Sequence, residues 1–319
     1  MTAHTLWLAW DLAEGEVESL RREFPDVKMH AGPELGSSRQ KEVSVLIVNG
    51  PITDDLARSM PKLRWVHTLN GGAGRVLVPT VLDGPVDVTT TTGIHGVPFA
   101  EFGIACLYAL AKGLPAVLDA QRASRWDRDV FAVDRVAGKT AGIVGLGTVG
   151  SELAKRLDAL GLRVVATKRT VGESKPPYVD ELGGPEWLPD LLGQSDVVFL
   201  CLSTGPDTEG MIGEDELGAM PSGAYFVSLT AVRTTIDEAA LARALRDGRL
   251  AGAALNMLAN SPLEPESELW GLPNCIISPG LGGDDPYKWQ SQRPVLVDYL
   301  RGFLSGKGLP HAIDKQRGY

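Results

Sequence analysis

The sequence predicts an α/β protein with two parallel sheets flanked by helices. Short β-branched and apolar runs recur along the chain, with amphipathic helix-like runs between them, and that alternation gives a parallel sheet covered on both faces. Ten such runs are too many for one small sheet, and 319 residues suffice for roughly two domains. One glycine-rich turn, Gly145-Leu146-Gly147-Thr148-Val149-Gly150, stands between a strand-like and a helix-like run.

In chain order, the first set of strands is expected at 5–10, 43–49, 64–69 and 86–91. The second set is expected at 140–144, 163–167, 196–202, 224–229, 252–257 and 275–278. Pro98 suits the first turn of a helix through Phe102, Cys106 and Leu110 that ends near Gly113-Leu114-Pro115. The stretch from Gly93 to Pro98 reads as a hinge between the two sheets. Thr235-Ile236-Asp237-Glu238 has the spacing of a capping box before Leu241 and Leu245, and Gly248 closes that helix. Residues 288–304 read as a final helix that returns to the first domain. There is no internal repeat and no low-complexity tract.

Composition narrows the function classes. The chain is 44% hydrophobic and 22% charged, ordinary for a globular protein. Its net charge of −9 disfavours nucleic acid or an anionic membrane as partner. No apolar run approaches the ~20 residues of a membrane span, and no basic-then-apolar leader opens the chain. Cys106, Cys201 and Cys275 lie scattered in apolar runs, which argues against a disulfide framework or a metal cluster. Buried, inert thiols in a reducing cytoplasm are the expectation.

The glycine turn carries chemistry because of its setting. The run 141–144 leads into it, 151–160 leads out and stops at Gly161, and 163–167 follows. Strand, glycine turn, helix and strand within about thirty residues make a dinucleotide-binding unit. Gly145 allows the tight turn, Gly147 the approach of the pyrophosphate, and Gly150 close helix packing. The helix N-terminus, with Thr148 and Val149, then faces the phosphates. The second strand ends Lys168-Arg169-Thr170, without the carboxylate that usually accepts from the ribose hydroxyls. Two cations and two hydroxyls, Thr167 included, suit a 2′-phosphate and favour NADP(H) over NAD(H). The alternative is a solvated basic turn.

With these residues placed, the chain resembles the D-2-hydroxyacid dehydrogenase family over nearly its whole length. GLGTVG sits where that family has its fingerprint, and TTGIHGVPFAEFGIACLYALAKGLP is similar to its interdomain helix. DVVFLCLSTGPDTEGMIGEDELGAM resembles its strand and loop over the cofactor, and DEAALARALRDGRLAGAAL matches closely. SPLEPESELWGLPNCIISP follows at the expected spacing. The resemblance implies two Rossmann/flavodoxin-like domains with a cleft between them. An outer substrate domain would comprise 1–93 plus 285–319, and a dinucleotide-binding domain 94–284. It implies a homodimer through the cofactor domains, with Trp126 in the arm that reaches the partner. It also brings Ser203, Thr208, Thr230, Ala231 and Asn256 to the cofactor.

Family chemistry is hydride transfer between nicotinamide and a 2-keto or 2-hydroxy acid, with an arginine for the carboxylate and a histidine–glutamate pair for the proton. The chain departs from that pattern. The expected Pro-His pair is Pro279-Gly280, the Glu of Glu-Pro-Leu is Ser261, and the Asp of Ala-Leu-Asp is Asn256. Either Ala231 or Val232 falls in the arginine slot, with Arg233 just beyond, either reaching the cleft or lying on the surface at a helix start. The segment Asn70-Gly71-Gly72-Ala73-Gly74 resembles the substrate-carboxylate loop, and consecutive N–H groups there would form an anion nest; the alternative is a plain loop after a strand. Of the five histidines, His67 and His95 fall near the expected cleft. Arg233, His95 and Tyr287 are therefore the candidate catalytic side chains. No metal is implied. The reading is an NAD(P)H-dependent oxidoreductase with an altered active site, acting on a 2-keto acid, an imine or another activated double bond. Its rival is a catalytically inactive NAD(P)-binding sensor or scaffold.

Overall fold

The structure is a computed structural model that describes residues 4–126, 128, 133–172, 174–202, 206–229, 234–258, 260, 262–309 and 311–315. The chain divides into two compact units, Met1–Ile94 with Pro286–Tyr319, and His95–Asp285.

In the first unit β1 (Thr5–Leu8), α1 (Glu14–Glu23), β2 (Lys28–Ala31), α2 (Ser37–Gln40), β3 (Val45–Val48), α3 (Asp54–Arg58), β4 (Trp65–Thr68), α4 (Pro79–Asp83) and β5 (Asp87–Thr90) follow one another. The strands are parallel in the order β2-β1-β3-β4-β5. β1, β3 and β4 are buried along their whole length, which is why they read as continuous apolar runs. Leu6, Leu8, Ile47 and Trp65 face one core, and Trp7, Leu46, Val48 and Val66 face the other.

The second unit begins with α5 (Gly96–Ala111) and α6 (Leu114–Arg122). It continues through β6 (Thr140–Val144), α7 (Thr148–Ala159), β7 (Arg163–Thr167), β8 (Glu181–Gly183), α8 (Leu188–Gln194), β9 (Val197–Leu200) and α9 (Glu214–Ala219). β10 (Ala224–Ser228), α10 (Glu238–Arg246), β11 (Leu250–Leu255) and β12 (Cys275–Ile277) complete it. Its parallel sheet runs β12-β11-β10-β9-β6-β7-β8. One face packs Ile143, Ala166, Phe199 and Val227 against Leu107 of α5 and Leu153 and Leu157 of α7. The other packs Val165, Leu200 and Phe226 against Leu191 of α8, Leu217 of α9 and Leu241 of α10. The chain then returns to the first unit as α11 (Lys288–Leu304), whose Leu296 and Leu300 lie in the core with Leu6 and Trp65.

All ten expected strands form, and the fold class is the one read from the sequence. Two more strands, β2 and β8, escaped sequence reading. Both are edge strands, of four and three residues, with only Met29 buried between them. They lack the β-branched run by which the others announce themselves. The expected capping box at Thr235 does not form. Ile212 N–H donates to Thr235 O (2.8 Å) and Asp237 N–H to Ile212 O (2.9 Å), so this stretch is still paired in extended form. The helix starts only afterwards, with Asp237 as N-cap accepting from Ala240 N–H (2.9 Å). Gly248 closes it in the left-handed conformation, as expected (φ 70°). The expected hinge is shorter than its sequence suggested, since Gly96, Val97 and Pro98 are already helical. Among the described residues no single helix is long and apolar enough to cross a membrane; α5 and α6 together pass that test but are bent by 66°.

His67, one of the two histidines near the expected cleft, is a core residue of β4, fully buried. Trp65 Nε1–H donates to Thr89 Oγ1 (2.8 Å), which pairs with His67 Nδ1 (2.7 Å), and His67 Nε2 pairs with Thr91 Oγ1 (2.9 Å). A neutral ring with its proton on Nε2 satisfies this chain. Burial pushes its pKa down to about 3, from an ordinary 6.5. The unfolded chain therefore takes up a proton below pH 6.5 that the folded chain refuses. Stability is full above 6.5 and falls as pH drops from there towards 3, by up to about 1.4 kcal/mol per pH unit. His4 and His30 are shifted the same way by burial and neighbouring cations. The expected outcome is a urea midpoint that falls between pH 6.5 and 5, with a shallower slope in His67→Gln. Equal slopes would show that His67 is not the source.

Candidate functional site

Because the second sheet is wholly parallel, every strand exit lies along one edge. The chain lays down β6 first, builds outward through β7 and β8, then returns to place β9 on the other side of β6. Ligands of such sheets bind outside the strand ends at that reversal. The glycine turn follows β6 there. Gly145 has φ 99°, and a Cβ on it would meet Cys201 O of the β9 exit at 2.9 Å. Its N–H and that of Leu146 donate to Thr167 O (3.2 and 2.8 Å), which joins the turn to the end of β7. A Cβ on Gly150 would lie 2.3 Å from Gly145 O, so only glycine lets α7 sit this close to the turn.

Gly147 differs from both. It is the N-cap of α7, has φ −90°, and a Cβ there would meet nothing within 4 Å. No side chain caps the helix, Thr148 is exposed and Val149 half-buried. Uncapped N–H groups over an open space at the start of a twelve-residue helix suit a pyrophosphate, and the residues present fit a dinucleotide. The start of α5 packs on the same turn, since a Cβ on Gly96 would lie 3.1 Å from Thr148 Cγ2. Lys168, Arg169 and Thr170 follow β7 and are all exposed. Thr208 is buried beyond the β9 exit. Ser203, Thr230, Ala231, Arg233 and Ser261 lie outside the described residues.

The turn after β12 is built from glycines with separate reasons. Gly280 has φ 88°; a Cβ on Gly282 would meet Asn256 Cγ at 2.9 Å, and one on Gly283 would meet Phe99 at 2.8 Å. Asn256 is fully buried. Its Nδ2 donates to Leu229 O (2.8 Å), and its Oδ1 accepts from Gly282 N–H (2.8 Å) and Ser278 Oγ–H (3.1 Å). One Nδ2–H and the Oδ1 of Asn256 are thus engaged with the protein itself. Nothing in the sequence announces this bracket, because its partners are two backbone groups and a serine 22 residues away. His95, the N-cap of α5, pairs through Nδ1 with Gly283 O (3.4 Å) and packs edge-on to Phe99. The structure therefore brings His95 to the turn that carries Gly280.

Tyr287 and the segment Asn70–Gly74 belong to the first unit. Tyr287 is the exposed N-cap of α11. Asn70 bonds back to Thr68 Oγ1 through its N–H (3.3 Å) and Nδ2 (3.4 Å). Ala73 is a core residue, and none of Gly71, Gly72 and Gly74 adopts the left-handed backbone. The alternation of right- and left-handed residues that shapes one form of anion nest is absent here. Cys106 and Cys201 are buried as expected, Cys275 only half so, and burial pushes all three thiols up to about 12.

Comparison with known proteins agrees with this cradle. The family model described as D-isomer specific 2-hydroxyacid dehydrogenase, NAD binding domain, matches residues 104–282. The chain is similar to a glyoxylate reductase of Thermococcus litoralis, 27% identical over 290 residues that cover 88% of this chain and 86% of the relative. It is also similar to a D-3-phosphoglycerate dehydrogenase of Mycobacterium bovis, 30% identical over 86% of this chain, and spans about half (51%) of that longer protein. Among solved structures, a D-isomer specific 2-hydroxyacid dehydrogenase from Xanthobacter autotrophicus Py2, in complex with NADPH and MES, superposes with a TM-score of 0.81, at 26% identity and over 100% of both chains.

The open place at Gly147 makes a clean test. Aspartate is a favoured N-cap, so Gly147→Asp is expected to leave the unfolding midpoint unchanged or slightly raised. Its carboxylate would fill and repel the place of the pyrophosphate, weakening NADPH binding by at least about tenfold in a fluorescence titration. Undiminished binding would exclude this turn as the phosphate cradle.

Proposed function

The chain belongs to the D-isomer specific 2-hydroxyacid dehydrogenase family and is an NAD(P)-dependent oxidoreductase, and from that premise we propose that it transfers hydride from NADPH to a small polar acceptor. The acceptor is a 2-keto acid, an imine or another activated double bond. The observation that carries the altered-site reading is Gly280, a left-handed glycine where the family resemblance expects the proton-handling histidine. The nicotinamide, when bound, supplies the hydride. This chain's residues must hold the nucleotide, orient the acceptor and supply or dispense with a proton.

Gly145, Gly147 and Gly150, with the first turn of α7, hold the pyrophosphate. Lys168 and Arg169 face the ribose 2′-phosphate, with Thr170 beside them. Arg233 grips the acceptor's carboxylate, and Asn70–Gly74 is the substrate-binding segment of the first unit. Among ionisable groups His95 is the foremost substitute proton donor. Its Nδ1 engagement with Gly283 O orients the ring beside the turn that carries Gly280. Tyr287 is the second candidate. An iminium already carries its proton and would need neither. The protein works as a homodimer through its cofactor domain, a reading supported by the exposed Leu114, Val117 and Leu118 of α6 and by fully exposed Trp126. Inert thiols and an acidic balance support a reducing, cytoplasmic setting.

Two measurements test this reading. Lys168→Ala with Arg169→Ala is expected to weaken NADPH binding by about ten- to a hundredfold while leaving NADH nearly unchanged. Equal effects on both nucleotides would reject the 2′-phosphate assignment. NADPH oxidation should then be followed with glyoxylate, hydroxypyruvate and phenylpyruvate, alone and with ammonia to form their imines. Turnover with at least one set is expected, and His95→Gln should lower the keto-acid rate more than the imine rate. Tight NADPH binding with no turnover on any acceptor would favour a nucleotide-binding sensor or scaffold. Reinstating a histidine by Gly280→His is a poor control, because the left-handed backbone there costs an L-residue about 1–2 kcal/mol.

A further inference from the structure

Asn256 links three places that carry site loops. Leu229 is the exit of β10 and directly precedes Thr230 and Ala231; Ser278 is the exit of β12; Gly282 lies in the turn beyond Gly280. The amide's orientation is fixed by two backbone groups of opposite polarity. Leu229 O only accepts, so it takes Nδ2–H, and Gly282 N–H only donates, so it takes Oδ1. Ser278 closes the network, since its Oγ–H donates to Oδ1 while its oxygen accepts from Leu281 N–H (3.2 Å). The absent Cβ of Gly282 is what lets the amide lie against the turn.

We propose that Asn256 is a positioning residue for nucleotide binding, whose amide fixes the exit of β10 against the turn after β12. This rests on the function proposed above, and it gives Asn256 a role through its neighbours rather than by touching the nucleotide. The geometry requires a donor towards Leu229 O and an acceptor towards Gly282 N–H, which an amide supplies at every pH. A carboxylate of the same shape accepts from Gly282 and Ser278 but turns a second acceptor towards Leu229 O, which then has no donor. A protonated carboxyl restores the donor.

Three variants test this by NADPH titration between pH 5.5 and 8.5, each expressed as a ratio to the unaltered protein at the same pH. Asn256→Asp is expected to bind about tenfold more weakly at pH 8.5 and to recover as pH falls, because burial favours the neutral carboxyl. Gly282→Ala, which pushes a methyl into the amide, is expected to lose affinity at every pH. Ser278→Ala, which removes one donor to Oδ1 but spares the bond to Leu229, is expected to lose less affinity than Gly282→Ala. The inference is overturned if the unaltered protein binds NADPH and either Asn256→Asp shows no pH-dependent ratio or Gly282→Ala binds as tightly. Should Asn256→Asp fail to fold, Gly282→Ala against Ser278→Ala decides alone: equal affinities overturn it. An unaltered protein that binds no dinucleotide instead defeats the function proposed above, and this inference with it.

Discussion

The approach of α7 to the turn after β6 is the constraint on which the second unit depends. Gly150 and the Gly145 carbonyl are so close that a single methyl cannot be inserted between them. That contact sets where the helix begins, and hence where its uncapped N–H groups point. The same turn is held by Thr167 O from one side and crowded by the β9 exit from the other. A nucleotide cradle follows from backbone packing alone, before any side chain is asked to recognise anything.

The turn after β12 shows the opposite economy. There the backbone is shaped by a side chain, Asn256, and each glycine answers a different demand: a left-handed residue, a flat amide, an aromatic ring. A histidine cannot be added at such a place by one substitution without strain. His95 arrives at the same turn from another element and contacts its carbonyl.

Much of this was legible in the sequence, for physical reasons. Buried parallel strands are long enough and apolar enough to declare themselves, and the glycine fingerprint has a setting that removes most of its ambiguity. Edge strands such as Lys28–Ala31 bury too little to leave a pattern. The start of α10 was misread because Thr235 satisfies a local capping rule, while pairing with Ile212 keeps its backbone extended. His67 looked like a cleft residue by position and is a core one by burial, a distinction set by α11 and β5, remote in sequence. Asn256 was legible as a residue of the strand exit. Its partners were not, because two of the three are main-chain groups brought near by the sheet.

The three thiols have one more consequence. With ionisation pushed up to about 12, the thiolate form is strongly disfavoured at all three near neutral pH. Peroxide and electrophiles, which attack through the thiolate, meet little of it, even at Cys201 beside the glycine turn.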